Sequence, residues 1–285
     1  MIDWPAFSPF PSRFVGVSTF DAADTDRVRT YLNWSELFRQ WEIPVPFPDA
    51  LDSPDWGTTA RSLLADANAL LDDWIAGGLL RPEVTFGVWQ AWAEGDQVMI
   101  QPPGGGAVRL TFPRLPVADG SSYCLADLIK PAALLTTGES DYIGGYAVRL
   151  DQRIGTAIQT WAAAEDDYRV FLATDLCALY RSAVADYLHY RLRRFIWAYC
   201  DDDDLSNTDI IEGIHQGIRV SIGDYACSGP VERFGLAALL GLTPDIGIVN
   251  DPANPLSADC GFFFAHPRAR HFRPQPVVNP PIVNA

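Results

Sequence analysis

Apolar residues between Thr58 and Ile75 return every three or four positions, with Leu63, Leu64, Ala67, Leu70, Leu71 and Trp74 on one face. This spacing predicts a helix that stops at Gly77-Gly78. A looser version of the pattern, Val28, Tyr31, Leu32, Leu37 and Phe38, predicts another helix over Thr25–Gln40, preceded by an irregular segment rich in Pro and Phe over residues 1–20. The period then shortens. Thr85–Ala93 and Gln97–Gln101 flank Glu94-Gly95-Asp96 as a β-hairpin, and Val108–Phe112 adds a third strand. After a short apolar segment, Leu125–Leu134, and a turn near Gly138, Tyr142–Leu150 reads as a strand interrupted by Gly144 and Gly145. Glycines inside a strand mark a bulge or a close approach of another group, and the bulge is the simpler reading.

From Ile154 to about Tyr199 a wide stripe that includes Ile158, Trp161, Leu172, Leu179, Leu188 and Phe195 predicts one long spine helix or two abutting ones. The run Asp201–Asp204 ends it and reads as a solvated loop. Leu205-Ser206-Asn207 followed by Thr208-Asp209 then offers a helix cap. Cys260–Ala265 is a further strand, and four prolines in Arg273–Ala285 predict an extended tail. These elements describe one α+β domain over residues 1–272 and a tail over 273–285.

With 48% apolar residues, nine Trp and fifteen Phe, the 285-residue chain has the composition of a globular protein with an aromatic core. Its net charge of −15 and single lysine, Lys130, leave no broad basic footprint for nucleic acid or anionic lipid. Five cysteines, an odd number without CxxC spacing, suit reduced thiols. With no leader-like N-terminus and no long apolar run, a soluble cytoplasmic protein is expected.

Common catalytic and nucleotide signatures are absent: GxGxxG after a strand, Walker A, HExxH and GxSxG. The four histidines have no ligand spacing, so no metal site is expected. Cys227 with His266 as base is a conceivable nucleophile pair, against the commoner inert buried thiol. The most informative run is Gln216-Gly217-Ile218-Arg219-Val220-Ser221-Ile222-Gly223-Asp224-Tyr225-Ala226-Cys227. An arginine beside small residues can clamp a carboxylate bidentately, although an arginine in a loop more often forms a salt bridge at the surface or within its own chain.

That run resembles the QGIRPAPGYPACP signature of the activation domain of cobalamin-dependent methionine synthase. The resemblance continues in order along the chain. Tyr31-Leu32-Asn33-Trp34 through Trp41 is similar to the family's YIDWxPFFxTW, and Ala65–Asp72 to its ADANxMLD. Tyr123–Leu128 resembles YCLADF, Asp141–Val148 resembles DYIGAFAV, and Gly261–Pro267 resembles GWYFSHP.

The resemblance implies a C-shaped α+β domain around a bent antiparallel sheet with long helices. It further implies an S-adenosylmethionine-binding activation subunit that supports reductive methylation of cobalamin on a separate methyltransferase, with flavodoxin or a related reductase as electron donor. Such a chain would turn over nothing alone and would meet cobalamin only through a partner, since the cobalamin-ligating DxHxxG pattern is missing. Transferred by position, the ligand carboxylate falls to Arg219, its amino group to Asn33, and the adenine to backbone near Ser221, Gly223 and Asp224. His271 and Phe272 stand where the family has paired tyrosines. Asn33 replaces an Asp and Ser182 a Glu, and the continuation after Ala226-Cys227 diverges. An alternative is a non-catalytic interaction protein that keeps the scaffold with a decayed or reassigned groove.

Overall fold

The computed structural model describes residues 3–117, 120–201, 205–242 and 258–269. Short strand β1 (Gly16–Thr19) is followed by helices α1 (Thr25–Arg29), α2 (Trp34–Gln40) and α3 (Gly57–Ala76). Strands β2 (Glu83–Glu94), β3 (Gln97–Gln101) and β4 (Val108–Thr111) follow, then a small β5–β6 hairpin (Leu115–Pro116, Ser122–Tyr123). Next come β7 (Asp141–Arg149), α4 (Gln152–Ala163), α5 (Asp167–Arg191), α6 (Asn207–Ile211), β8 (Ile218–Ser221), α7 (Pro230–Leu240) and β9 (Asp259–Phe264).

The main sheet runs β4-β3-β2-β7-β9-β8, antiparallel throughout. Strand β2 organises it. Along one edge its first half pairs with β1 (Gly16↔Val88) and its second half with β3 (Gln90↔Gln101), while β7 pairs along the other edge. The result is the bent antiparallel sheet of an α+β fold.

Because side chains alternate across a strand, the sheet feeds two cores. Val84, Phe86, Val88, Tyr146, Val148 and Phe263 pack with α1 to α5. Trp89, Ala91, Ile143, Ile218, Val220, Phe262 and Phe264 face the other way, against α7 and the turn Leu125–Leu128.

Helix α3 and the strands of the hairpin form where the periodicity places them. Thr25–Gln40, by contrast, is two helices, because Asn33 caps α2 by accepting the Glu36 N–H at 3.2 Å. The spine also divides: Glu165 takes a left-handed φ of 58° between α4 and α5, and Asp166 caps α5. After Arg191 the helix loosens into a π turn over Leu192–Ile196. The stretch 1–20 is not wholly irregular, since it contains β1, whose half-exposed edge gives little apolar signal. Leu125–Leu134 forms two 3-10 turns. Ser206 caps α6 as expected.

Two expectations are corrected. Gly144 and Gly145 form no bulge: their ladders to β2 and β9 run without a slip. A Cβ at Gly145 would lie 2.6 Å from Leu236 Cδ1 and 3.0 Å from the Trp89 ring, so the glycine admits α7 to the sheet. Arg219 sits not in a loop but on edge strand β8, opposite Phe263. Most of Asp201–Asp204, together with His271, Phe272 and the proline-containing tail, lies outside the described residues.

Candidate functional site

The run around Arg219 begins at Gly217, whose φ of 78° and 2.7 Å approach of a would-be Cβ to Phe264 O both demand glycine. From there β8 alternates. Ile218, Val220 and Ile222 enter the core beneath α7, while Arg219 and Ser221 point to the opposite face, toward α5. Ser221, Gly261 and Tyr146 are register partners across β8, β9 and β7. With no side chain at Gly261, the hydroxyls of Tyr146 and Ser221 meet at 2.9 Å.

Arg219 is the hub of this seam. Its Nε donates to Asp186 Oδ1 at 2.7 Å, and its Nη2 donates to Ser182 Oγ at 2.8 Å, both acceptors on α5. Nη1 donates to Tyr146 Oη and Ser221 Oγ, each at 3.0 Å, and approaches Asp259 Oδ2 at 3.5 Å. Tyr146 in turn donates to Asp259 Oδ1 at 3.2 Å. Burial disfavours the guanidinium charge, but the carboxylates of Asp186 and Asp259 outweigh it and hold the pKa well above its ordinary value. Burial drives the Tyr146 phenol well up, so it stays neutral.

A guanidinium carries five N–H groups. Counting these partners, one Nη2 hydrogen remains uncommitted among the described residues, enough for a single bond to an incoming oxygen. The bidentate clamp expected from sequence would require displacing Ser182 or Asp186. Of the two sequence alternatives for an unliganded arginine, the intramolecular ion pair is the arrangement observed.

The segment after β8 closes tightly. Gly223 has φ 116° and donates to Cys227 O at 2.9 Å, Asp224 N donates to Ser221 O at 3.2 Å, and Cys227 N donates to Asp224 O at 2.9 Å. Ser221, Gly223 and Asp224 are thereby gathered within one turn of Arg219. Asn33 stands apart. It is exposed, its side chain caps α2, and it shares no hydrogen bond with the Arg219 cluster.

Cys227 and His266 form no catalytic pair. Burial raises the Cys227 thiol far above its usual range, and burial with nearby Arg268 lowers His266 to about 4. His266 packs between Trp4 and Phe7, and its Nδ1 accepts from Arg268 N at 3.0 Å. A cavity of about 810 Å³ lies elsewhere, against Trp4, Ala93, Arg114, Tyr123 and Leu128, and among the described residues none of the predicted site residues (Asn33, Arg219, Ser221, Gly223, Asp224) lines it. Its Arg114 is already paired with Asp96 and Asp127.

Sequence reasoning named Ser221 and Ser182 but missed Tyr146, Asp186 and Asp259 as partners of Arg219. Polar residues at Ser182, Asp186, His189 and Arg193 recur on one face of an otherwise apolar helix, and that interruption was the available signal.

Among the described residues no helix is long and apolar enough to cross a membrane. The fold is similar to a solved structure, the MetH reactivation domain bound to AdoHcy, with 28% sequence identity and a TM-score of 0.83 over 95% of this chain and 85% of that one. Residues 24–279 match the family described as vitamin B12 dependent methionine synthase, activation domain. A match of that extent, on a fold whose β8 edge carries the Gln-Gly-Ile-Arg run against α5, establishes that the chain belongs to the methionine synthase activation-domain family.

Proposed function

We propose that the chain binds S-adenosylmethionine at the β8–α5 seam and supports reductive methylation of cobalamin held by a methyltransferase module outside these 285 residues. The observation that carries this reading is the likeness, along 95% of the chain, to a reactivation domain crystallised with AdoHcy. Arg219 offers its remaining Nη2 hydrogen to the ligand carboxylate, and the turn of Ser221, Gly223 and Asp224 offers backbone groups to the adenine. Asn33 accepts from the amino group through its second lone pair. An amide in place of a carboxylate loses the charge-assisted share of that bond, about 1 kcal/mol. By the family resemblance, His271 and Phe272 are assigned to the same ligand in this proposal. When bound by its module, cobalamin supplies the electron-accepting and methyl-accepting chemistry, and flavodoxin or a related reductase supplies the electron. This chain contributes binding, orientation and exclusion of water.

The test is calorimetric titration of the chain with S-adenosylmethionine and with AdoHcy, beside Arg219→Ala. Saturable binding that disappears in a variant with native circular dichroism is expected. No binding at millimolar ligand would end the proposal.

A second reading has one observation in its favour: Arg219 already engages Asp186, Ser182, Tyr146, Ser221 and Asp259. A chain whose arginine is held mainly by its own fold would act as an interaction protein without a ligand. Under that reading the titrations stay flat, while docking to a cobalamin module survives Arg219→Ala.

A further inference from the structure

The polar stripe of α5 continues past the seam. Ser182 and Asp186 are consumed by Arg219, and His189 places Nε2 2.9 Å from the Tyr199 hydroxyl with its ring stacked on Phe263 at 5.0 Å. Arg193 is different. It is 1% exposed, and its Nε, Nη1 and Nη2 all lack a hydrogen-bond partner among the described residues. Arg191 and Arg233 each have one buried nitrogen in that condition, Nε, and not all three.

The backbone encloses this side chain. Arg193 falls one turn after His189 and one turn before Trp197, within the π turn Leu192–Ile196. The chain then reverses through Ala198, at φ 62°, and Tyr199 returns over the same face. Its hydroxyl meets His189, and its ring packs edge-on against Trp197 at 5.2 Å. Gln216 ties this segment to the end of β9 by donating to both Tyr199 O at 3.5 Å and Ala265 O at 3.0 Å. Cys200 N donates to Arg193 O at 3.2 Å, which holds the returning segment against the Arg193 backbone, and the positive charge of Arg193 partly offsets the burial that pushes the Tyr199 phenol well up.

A guanidinium does not shed its proton inside a protein, so burial cannot be relieved by neutralisation. An unpaired charge in so enclosed a place is far costlier than an ordinary lost hydrogen bond, and a counter-ion removes that cost. We propose that Arg193 is the centre of an internal anion site, closed over by Tyr199, that takes a small monovalent anion of the halide class. Burial of Arg193 to 1% exposure favours a compact ion over a phosphate or a carboxylate-bearing metabolite. The site is independent of the S-adenosyl ligand. It has a consequence for the seam, because the Tyr199–Gln216 contact leads through Gly217 directly into β8 and Arg219.

Two measurements on the whole chain decide the proposal. In thermal unfolding at fixed ionic strength, replacing gluconate by chloride is expected to raise Tm saturably, by at least about 2 °C. Crystals grown in bromide are expected to show an anomalous peak within hydrogen-bond distance of the Arg193 guanidinium. In Arg193→Met the halide dependence of Tm should vanish. Should that variant fail to fold, the wild-type titration and the bromide crystal still decide. A flat titration, or water alone at the guanidinium in bromide, overturns the assignment.

Discussion

Truncating Arg219 to alanine removes one guanidinium and leaves Asp186, Asp259 and three hydroxyls without their common donor. Breaking a buried ion pair from one side costs about 3–5 kcal/mol, because the surviving charge keeps its desolvation penalty. Here the side chains of Asp186 and Asp259 are 21% and 15% exposed, so water partly solvates what is left and the lower end, about 3 kcal/mol, applies. Domains typically have about 5–15 kcal/mol in reserve, so the variant should remain folded at 25 °C with a lower urea midpoint. Asp186→Asn, which keeps the shape but loses the charge, should cost about 1.5–3 kcal/mol. Both substitutions remove the same pair, so the double variant should fall short of their sum by at least about 1 kcal/mol. Urea unfolding at pH 7, followed by far-ultraviolet circular dichroism, measures all four proteins. A loss below about 1 kcal/mol for Arg219→Ala, or additivity within about 0.5 kcal/mol, would refute the seam as a coupled ionic unit. The same curves define the conditions under which loss of ligand in Arg219→Ala can be separated from loss of fold.

Gly145→Ala should destabilise by about 1–3 kcal/mol through overpacking against Leu236 and Trp89, and Leu236→Ala in the same chain should recover part of that loss. Equal losses with and without Leu236 would show that the contact does not govern the site. Asp141 gives a pH dependence: burial pushes its carboxyl up to about 7, although the N–H groups of Lys130 and Tyr142, each at 2.7 Å, favour the ionised form. The folded chain therefore holds this proton more tightly than the unfolded chain does. The resulting stability is full below about pH 4 and is lost as pH rises through about 7, a fall on the order of 4 kcal/mol. Asp141→Asn should flatten that slope in urea titrations, and identical slopes in the two proteins would remove Asp141 from the account.

Much of the scaffold was legible because long periodic segments announce themselves. Leu63 to Trp74 and the two arms of the Glu94-Gly95-Asp96 hairpin needed nothing beyond spacing. Short elements held by context were not legible. Strand β1 exists because β2 offers it an edge, and β8 because Gly217 can turn and Phe263 can pair with Arg219. Helix α7 follows a run that reads as loop, and its place depends on the absent side chain of Gly145. At the candidate site, Arg219 was visible from its neighbours in sequence. Three of its partners were not, because Asp186 lies 33 residues before it, Asp259 lies 40 after it, and Tyr146 lies on a third strand.

The two-sided sheet ties the fate of one half of the protein to the other. Strands β2, β7 and β9 supply alternate residues to both cores, so neither core can come apart without removing the floor of its neighbour. Helix α7 and the α5 bundle have no direct claim on each other, yet each depends on the same three ribbons of backbone. Opening therefore begins at the margins, at β1, β4 and β8, where a strand is held by a ladder on one side only. Of those margins β8 carries the Arg219 seam, which places the candidate groove at the rim of the sheet, where a local opening would reach only the core beneath α7 and leave the α5 side packed.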